Sequence, residues 1–192
     1  MKRIGILGGT FNPVHNGHLA VAQTAFEKLR LTKVIFVPAK LPVHKAPENV
    51  VAPAKRLKMV ELAIQPYDHF VASDIEISRK GKSYSIETVQ EFRKQYAKDK
   101  LYFIIGTDSS LKLHTWKRID ELVKMVSFVC INRPGNPPSA TEQSCRHIKM
   151  PALDISSSMI RARIAKGLPV GFLLPKAVEE YIRKKKIYRS TQ

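Results

Sequence analysis

Lys2-Arg3-Ile4-Gly5-Ile6-Leu7-Gly8-Gly9-Thr10-Phe11-Asn12-Pro13-Val14-His15-Asn16-Gly17-His18-Leu19 reads as a strand, a turn and the start of a helix. The apolar run over Lys2–Leu7 suits a strand, the glycine-rich stretch after it a loop, and the amphipathic pattern of His18–Leu29 a helix. The same alternation continues outward. Further strands are predicted at Lys33–Val37, Phe70–Ile75, Leu101–Ile105 and Ser127–Ile131, with helices at Ala54–Ile64, Ile86–Tyr96 and Ile119–Met125. Strands separated by helices imply repeated βαβ units with right-handed crossovers, hence a doubly wound, mostly parallel α/β sheet.

After Asn132 the character changes to a turn-rich loop, Arg133-Pro134-Gly135-Asn136-Pro137-Pro138-Ser139. Two more helices are predicted, near Ser157–Lys166 and Pro175–Lys186. Pro175 suits a first helical turn, and the basic residues of Arg183–Lys186 suit a last one. No internal repeat is visible. One domain over 1–192, helical from about residue 155, is the expectation for a chain of 192 residues at 44% hydrophobic.

Lys and Arg number 33 against 16 Asp and Glu, a formal net charge of +17. Such a field attracts anions of every kind and leaves the choice to local chemistry. Cys130 and Cys145 are too few for a disulfide framework and lack CxxC spacing, which fits a reduced cytoplasm. The first apolar run stops at Gly8, and no segment approaches the roughly 20 apolar residues that span a bilayer. A nucleic-acid partner is not expected either, because the basic residues are scattered except at Arg183–Lys186 and no zinc finger or RNP-like motif is present.

In an open parallel sheet the loop after the first strand lies outside the strand ends, where ligands bind. Gly8 and Gly9 would let backbone amides approach a phosphate without interference from Cβ, and the next helix would turn its positive end to the same anion. The loop is neither a Rossmann GxGxxG nor a Walker A sequence. It offers instead His15 and His18, whose spacing across a helix start lets both imidazoles aim at one spot and donate hydrogen bonds to a phosphoryl group in the transition state.

His15-Asn16-Gly17-His18 resembles the HxGH signature of the nucleotidyltransferase superfamily, which shares its sheet and site with class I aminoacyl-tRNA synthetases. The residues around it are similar to the opening of bacterial nicotinate-nucleotide adenylyltransferases. Asn12 stands where that family usually has Asp, which removes one negative charge near the phosphates and is not expected to alter the reaction. Leu41-Pro42-Val43-His44-Lys45 resembles the family's Pro-His-Lys element, Ser83-Tyr84-Ser85 its Ser-Tyr-Thr element, and Ile104-Ile105-Gly106-Thr107-Asp108 with Trp116 its Ile-Ile-Gly-Ala-Asp segment and downstream Trp. Ile155-Ser156-Ser157-Ser158-Met159-Ile160-Arg161 resembles its second signature.

The resemblance implies ATP binding by Gly8, Gly9, Thr10, Phe11, His15, His18, Gly106, Asp108, Ser156, Ser157 and Arg161. It implies binding of the nicotinate nucleotide by Lys45, Ser85 and Trp116, with the indole stacking on the pyridine ring. Chemistry falls to His15, His18, Lys45 and Arg161, and Arg133 matches without an assigned role. The implied reaction joins the phosphate of nicotinic acid mononucleotide to the α-phosphorus of ATP, giving deamido-NAD and pyrophosphate. A phosphate monoester is largely dianionic at neutral pH, so the attack needs no general base and no protein nucleophile. Mg²⁺ is expected to ride on the ATP phosphates without protein ligands. Nicotinamide mononucleotide and phosphopantetheine are the rival acceptors, and self-association is left open.

Overall fold

The computed structural model describes residues 1–41, 50–132, 145–151 and 153–189, with the side chains of Thr107, Asp108 and Asn132 excepted. Among the described residues, six strands form one sheet: β1 (Arg3–Gly9), β2 (Lys33–Pro38), β3 (Phe70–Ala72), β4 (Lys100–Gly106), β5 (Ser127–Asn132) and β6 (Cys145–Lys149). Their order is β3-β2-β1-β4-β5-β6 and every neighbouring pair is parallel. The doubly wound Rossmann-like fold is therefore as expected. The strand order reverses between β1 and β4, paired from Arg3 with Lys100 to Leu7 with Ile104. A crevice at such a reversal is where open α/β sheets bind ligands.

Strict alternation along the strands feeds two cores, one on each face. Leu7, Val34, Phe36, Ile104, Val129 and Ile131 point to one side, the first core. Ile4, Ile6, Ile35, Val37, Leu101, Phe103, Ile105, Phe128 and Cys130 point to the other, the second core. Burial on both faces explains why these strands read as continuous apolar runs.

Helices cover each face. Over the first core lie α1 (Asn16–Leu29), α2 (Pro53–Ile64), and the two C-terminal helices α7 (Ser157–Ala165) and α8 (Lys176–Lys184). Over the second lie α4 (Ser85–Gln95) and α6 (Ile119–Met125), with short turns α3 (Ile75–Ser78) and α5 (Thr107–Ser110) between. The apolar spacing Leu19, Ala22, Ala25, Leu29 on α1 and Ile86, Val89, Phe92 on α4 places each buried stripe on one helical face.

Most predicted boundaries agree within two residues, and three differences matter. The first strand runs on through Gly8 and Gly9, which pair with Val37 and Pro38, so the loop starts at Thr10. The third strand ends at Ala72, and Ile75 begins a helical turn. The sixth strand, Cys145–Lys149, lies outside the predicted strands. It is an edge strand in which only Ile148 is buried, and such a strand carries no apolar run to read.

Candidate active site at the sheet reversal

The turn between β1 and α1 is folded by donors from elsewhere in the chain. Phe11 takes a left-handed backbone (φ 47°), and its ring lies over Gly9, where an added Cβ would stand 2.9 Å from Cζ. Gly9 is thus required by the ring beneath it, a different reason from the phosphate approach expected of it. The Phe11 side chain is buried and meets the His18 ring edge-on at 5.0 Å. It props the histidine, so any contact of Phe11 with ATP is through the main chain.

Three carbonyls of this turn receive side-chain donors. Arg56 Nη1 donates to Thr10 O at 2.7 Å, Arg161 Nη1 to Asn12 O at 2.9 Å, and Ser157 Oγ to Pro13 O at 2.9 Å. A trans peptide directs the following N–H opposite to its carbonyl, so the Phe11 and Val14 amides face away from Arg56 and Ser157. Anchored carbonyls with amides on the other side suit an anion-binding concavity.

His15 caps α1 and is buried at 2% exposure, while His18 is half-buried. Their rings face one another with centroids 3.7 Å apart and planes 31° apart. The His15 backbone N–H donates to His18 Nδ1 at 3.2 Å. A nitrogen that accepts this bond carries no proton, so in neutral His18 the proton sits on Nε2. Gly17 makes room for the pair, since a Cβ there would stand 3.0 Å from His15 Nδ1.

The second signature meets the same turn. Ser156 is the N-cap of α7, its Oγ accepting from the Met159 amide at 3.2 Å, and Ser157 and Arg161 bond the turn as above. The ordinary capping role and the site-forming role therefore coexist in one segment. Arg161 is half-buried, and its guanidinium has more donors than the one engaged on Asn12.

Arg56 belongs to no motif of the sequence. It is fully buried, and besides Thr10 it donates to Val51 O at 2.8 Å, Ala39 O at 2.5 Å and Lys40 O at 3.2 Å. Burial pushes its guanidinium below the ordinary value, partly offset by Tyr188 and Glu76. Nothing local marks it, because its partners are carbonyls of three separate segments.

Asn12 also differs from expectation. It is only 4% exposed, and its Oδ1 accepts from Tyr188 Oη at 2.7 Å and from the Val51 amide at 3.2 Å. The side chain bonds inward, so its main effect is on the shape of the turn and not on the charge beside a phosphate.

Across the reversal stands Gly106, at the exposed end of β4, with no atom within 4 Å of an added Cβ. The resemblance assigns Gly106 to ATP, so Gly106→Ala is expected to leave the melting temperature unchanged while raising KM for ATP, measured by thermal melts and steady-state kinetics. An unchanged KM would overturn that assignment.

Further residues gather over the second core. Ser85 is the first residue of α4, whose N-cap is Tyr84 without a side-chain capping bond, and Ser83 Oγ accepts from the Lys40 amide at 2.8 Å. Capping by Ser85 is thus not its role, and the first amides of the helix have no intrahelical acceptor. Trp116 meets Phe103 and Phe128 edge-on at 5.7 and 6.0 Å. The polar neighbourhood in sequence suggested little core contact, yet the half-buried indole is seated on the core. Lys117 Nζ lies 4.1 Å from the centre of the Tyr84 ring, joining the Trp116 segment to the start of α4. Glu87, in the first turn of α4, is paired with Arg79 at 3.3 Å and Lys117 at 3.5 Å. Lys45 and Arg133 lie outside the described residues, as does the side chain of Asp108.

Fold and site together define an α/β nucleotidyltransferase. The family model for cytidylyltransferase-like proteins matches residues 6–163. The protein of Bacillus pumilus (strain SAFR-032) named "probable nicotinate-nucleotide adenylyltransferase" is 42% identical over 190 residues, covering 99% of this chain and all of its own length. The protein of the same name from Thermoanaerobacter sp. (strain X514) is 42% identical over 202 residues, covering 99% of this chain and 96% of its own. The chain belongs to the cytidylyltransferase-like family and, within it, to the nicotinate-nucleotide adenylyltransferases. The fold is also that of Plasmodium falciparum nicotinic acid mononucleotide adenylyltransferase complexed with NaAD, at TM-score 0.84, 20% identity and 98% coverage of both chains.

Proposed function

We propose that the protein transfers the adenylyl group of ATP to the phosphate of nicotinic acid mononucleotide, forming deamido-NAD and releasing pyrophosphate in NAD biosynthesis. The observation that carries this reading is the facing imidazole pair at the mouth of the β1–α1 turn, where the sheet reverses. The family membership of the whole chain supports it.

In this reading the acceptor phosphate, already dianionic, attacks the α-phosphorus in line with the departing pyrophosphate. The bond from phosphorus to the bridging oxygen breaks as the new one forms. The chain's work is placement and charge neutralisation. Two anions repel in a pocket of low dielectric, and His18 Nε2–H, His15, Arg161, Lys45 and the amides of the turn offset that repulsion. Gly8, Gly9, Thr10, Phe11, Gly106, Asp108, Ser156 and Ser157 complete the ATP site.

Among the described residues no group of three His, Cys, Asp or Glu stands together. A magnesium ion is read as a passenger of the triphosphate, bound through the phosphates that the residues of the ATP site would hold. When bound it supplies further neutralisation of phosphate charge.

Selection of the acid over the amide falls to the start of α4 and to Trp116. Unengaged helix amides suit a carboxylate, and the Glu87 charge is neutralised by Arg79 and Lys117, so no bare anion opposes it. Trp116 offers an indole to the pyridine ring. Among the described residues no helix is long and apolar enough to cross a membrane. We place the enzyme in the cytoplasm, where ATP is abundant and cysteines stay reduced.

The test is pyrophosphate release with ATP and Mg²⁺ and one of three acceptors: nicotinic acid mononucleotide, nicotinamide mononucleotide or phosphopantetheine. The expected result is a kcat/KM at least about tenfold higher for the acid than for the amide, the discrimination that a charge-assisted hydrogen bond supplies. Preference for the amide would overturn the acceptor assignment, and turnover of phosphopantetheine alone would overturn the pathway.

A further inference from the structure

The C-terminal segment reaches back to the catalytic turn. Two residues past the end of α8, Lys186 lies in the left-handed region (φ 51°), and the Ile187 amide returns to Ile182 O at 3.0 Å. This six-to-one closure stops a helix and redirects the chain. Ile187 then enters the core at 6% exposure. Tyr188 follows, again left-handed (φ 65°), a conformation that a residue with a side chain adopts only when its surroundings impose it. The outcome is the 2.7 Å bond from Tyr188 Oη to Asn12 Oδ1, across 176 positions of sequence.

That bond meets the turn at a sensitive place. Asn12 lies three positions before His15. Its main-chain oxygen is held by Arg161 and its side-chain oxygen by Tyr188 and the Val51 amide. The next carbonyl, of Pro13, is held by Ser157. The hydroxyl also lies within the electrostatic reach of Arg161 and Arg56, the two guanidinium groups that grip this turn. Burial nonetheless keeps the phenol protonated well beyond the physiological range, so it remains a donor whenever the enzyme works.

We propose that Tyr188 is a positioning residue for adenylyl transfer, holding the β1–α1 turn through Asn12 so that His15 and His18 face the reacting phosphate. The proposal rests on the functional reading above. It assigns the C-terminal segment a part in turnover that a role in packing alone does not include. A histidine donor misplaced by a fraction of an ångström loses much of its effect in the transition state but little in ground-state binding. Loss of the hydroxyl therefore appears in kcat and not in KM.

The test compares Tyr188→Phe with wild type, using Tyr181→Phe on α8 as the control for loss of a neighbouring hydroxyl. Phenylalanine keeps the ring and removes only the donor. The expected result for Tyr188→Phe is a kcat about tenfold or more below wild type, with both KM values within about twofold and a melting temperature far above the assay temperature. Hydrogen–deuterium exchange is expected to be faster at residues 14–18 and unchanged in the strands, and Tyr181→Phe is expected to match wild type. A wild-type kcat, a fall matched by an equal rise in KM, or unaltered exchange at the turn would each overturn the proposal. Should the wild-type protein adenylate no pyridine mononucleotide, the functional reading fails by itself. The exchange comparison then still decides whether Tyr188 holds the turn.

Discussion

His18→Ala is expected to lower kcat by about 10²–10³-fold, the usual loss when one preorganised donor to a developing charge is removed. The reason is geometric. The His15 amide occupies Nδ1, so the proton of neutral His18 is committed to Nε2, and the Phe11 edge and the His15 face limit where the ring can turn. A donor held in advance spends no reorganisation energy when charge builds on the phosphoryl oxygens. Because the alanine variant keeps Gly17, Arg161 and the turn, KM for ATP is expected to change far less than kcat. Steady-state pyrophosphate release under saturating ATP measures it. Near-normal turnover in a folded variant would show that the chemistry lies elsewhere.

Arg56→Met is expected to be the most damaging single change to stability. The side chain fits the volume but donates nothing, and it abandons the carbonyls of Thr10, Ala39, Lys40 and Val51 at once. Each buried acceptor left unmade costs about 1–3 kcal/mol, and release of the buried guanidinium returns part of that. A net loss of about 3 kcal/mol or more follows, which for a chain of this size lowers Tm by roughly 6–12 °C. Activity should fall as well, because Thr10 loses its anchor. Thermal unfolding of the variant beside wild type provides the measurement, and a shift under about 2 °C would contradict the clamp.

How far the sequence alone carries depends on whether a feature is local. The strand-to-helix alternation was legible because both faces of the sheet are buried, so β1, β2, β4 and β5 read as apolar runs. The edge strand Cys145–Lys149, with Arg146, His147 and Lys149 outside the core, lacks that signal. His15 and His18 were legible because their spacing is itself the geometry. Arg161 and Ser157 stand out in the sequence as candidates for ATP, but the contacts that join them to the first signature, on the carbonyls of Asn12 and Pro13, are non-local and leave no mark in it.

Other residues carried a motif but not its cause. Gly9 looks like a phosphate-loop glycine, and the Phe11 ring packed on it is a second cause for the missing side chain that only the fold shows. Trp116 sits among polar neighbours in sequence and on two phenyl rings in space. Arg56 and Tyr188 were invisible, since an arginine on a helix and a tyrosine after one are common. Only the fold shows that each ends on the same six-residue turn. Asn12 joins them there, and its substitution for the usual acid keeps the acceptor oxygen that both Tyr188 and Val51 use.

The central claim concerns where the triphosphate lies, and a crystal structure with α,β-methylene-ATP tests it most directly. The expected result is an α-phosphate oxygen about 2.7–3.1 Å from His18 Nε2, with the β- and γ-phosphates toward Arg161 and the start of α7. A triphosphate ordered elsewhere, with both imidazoles making no contact to phosphate, would contradict it.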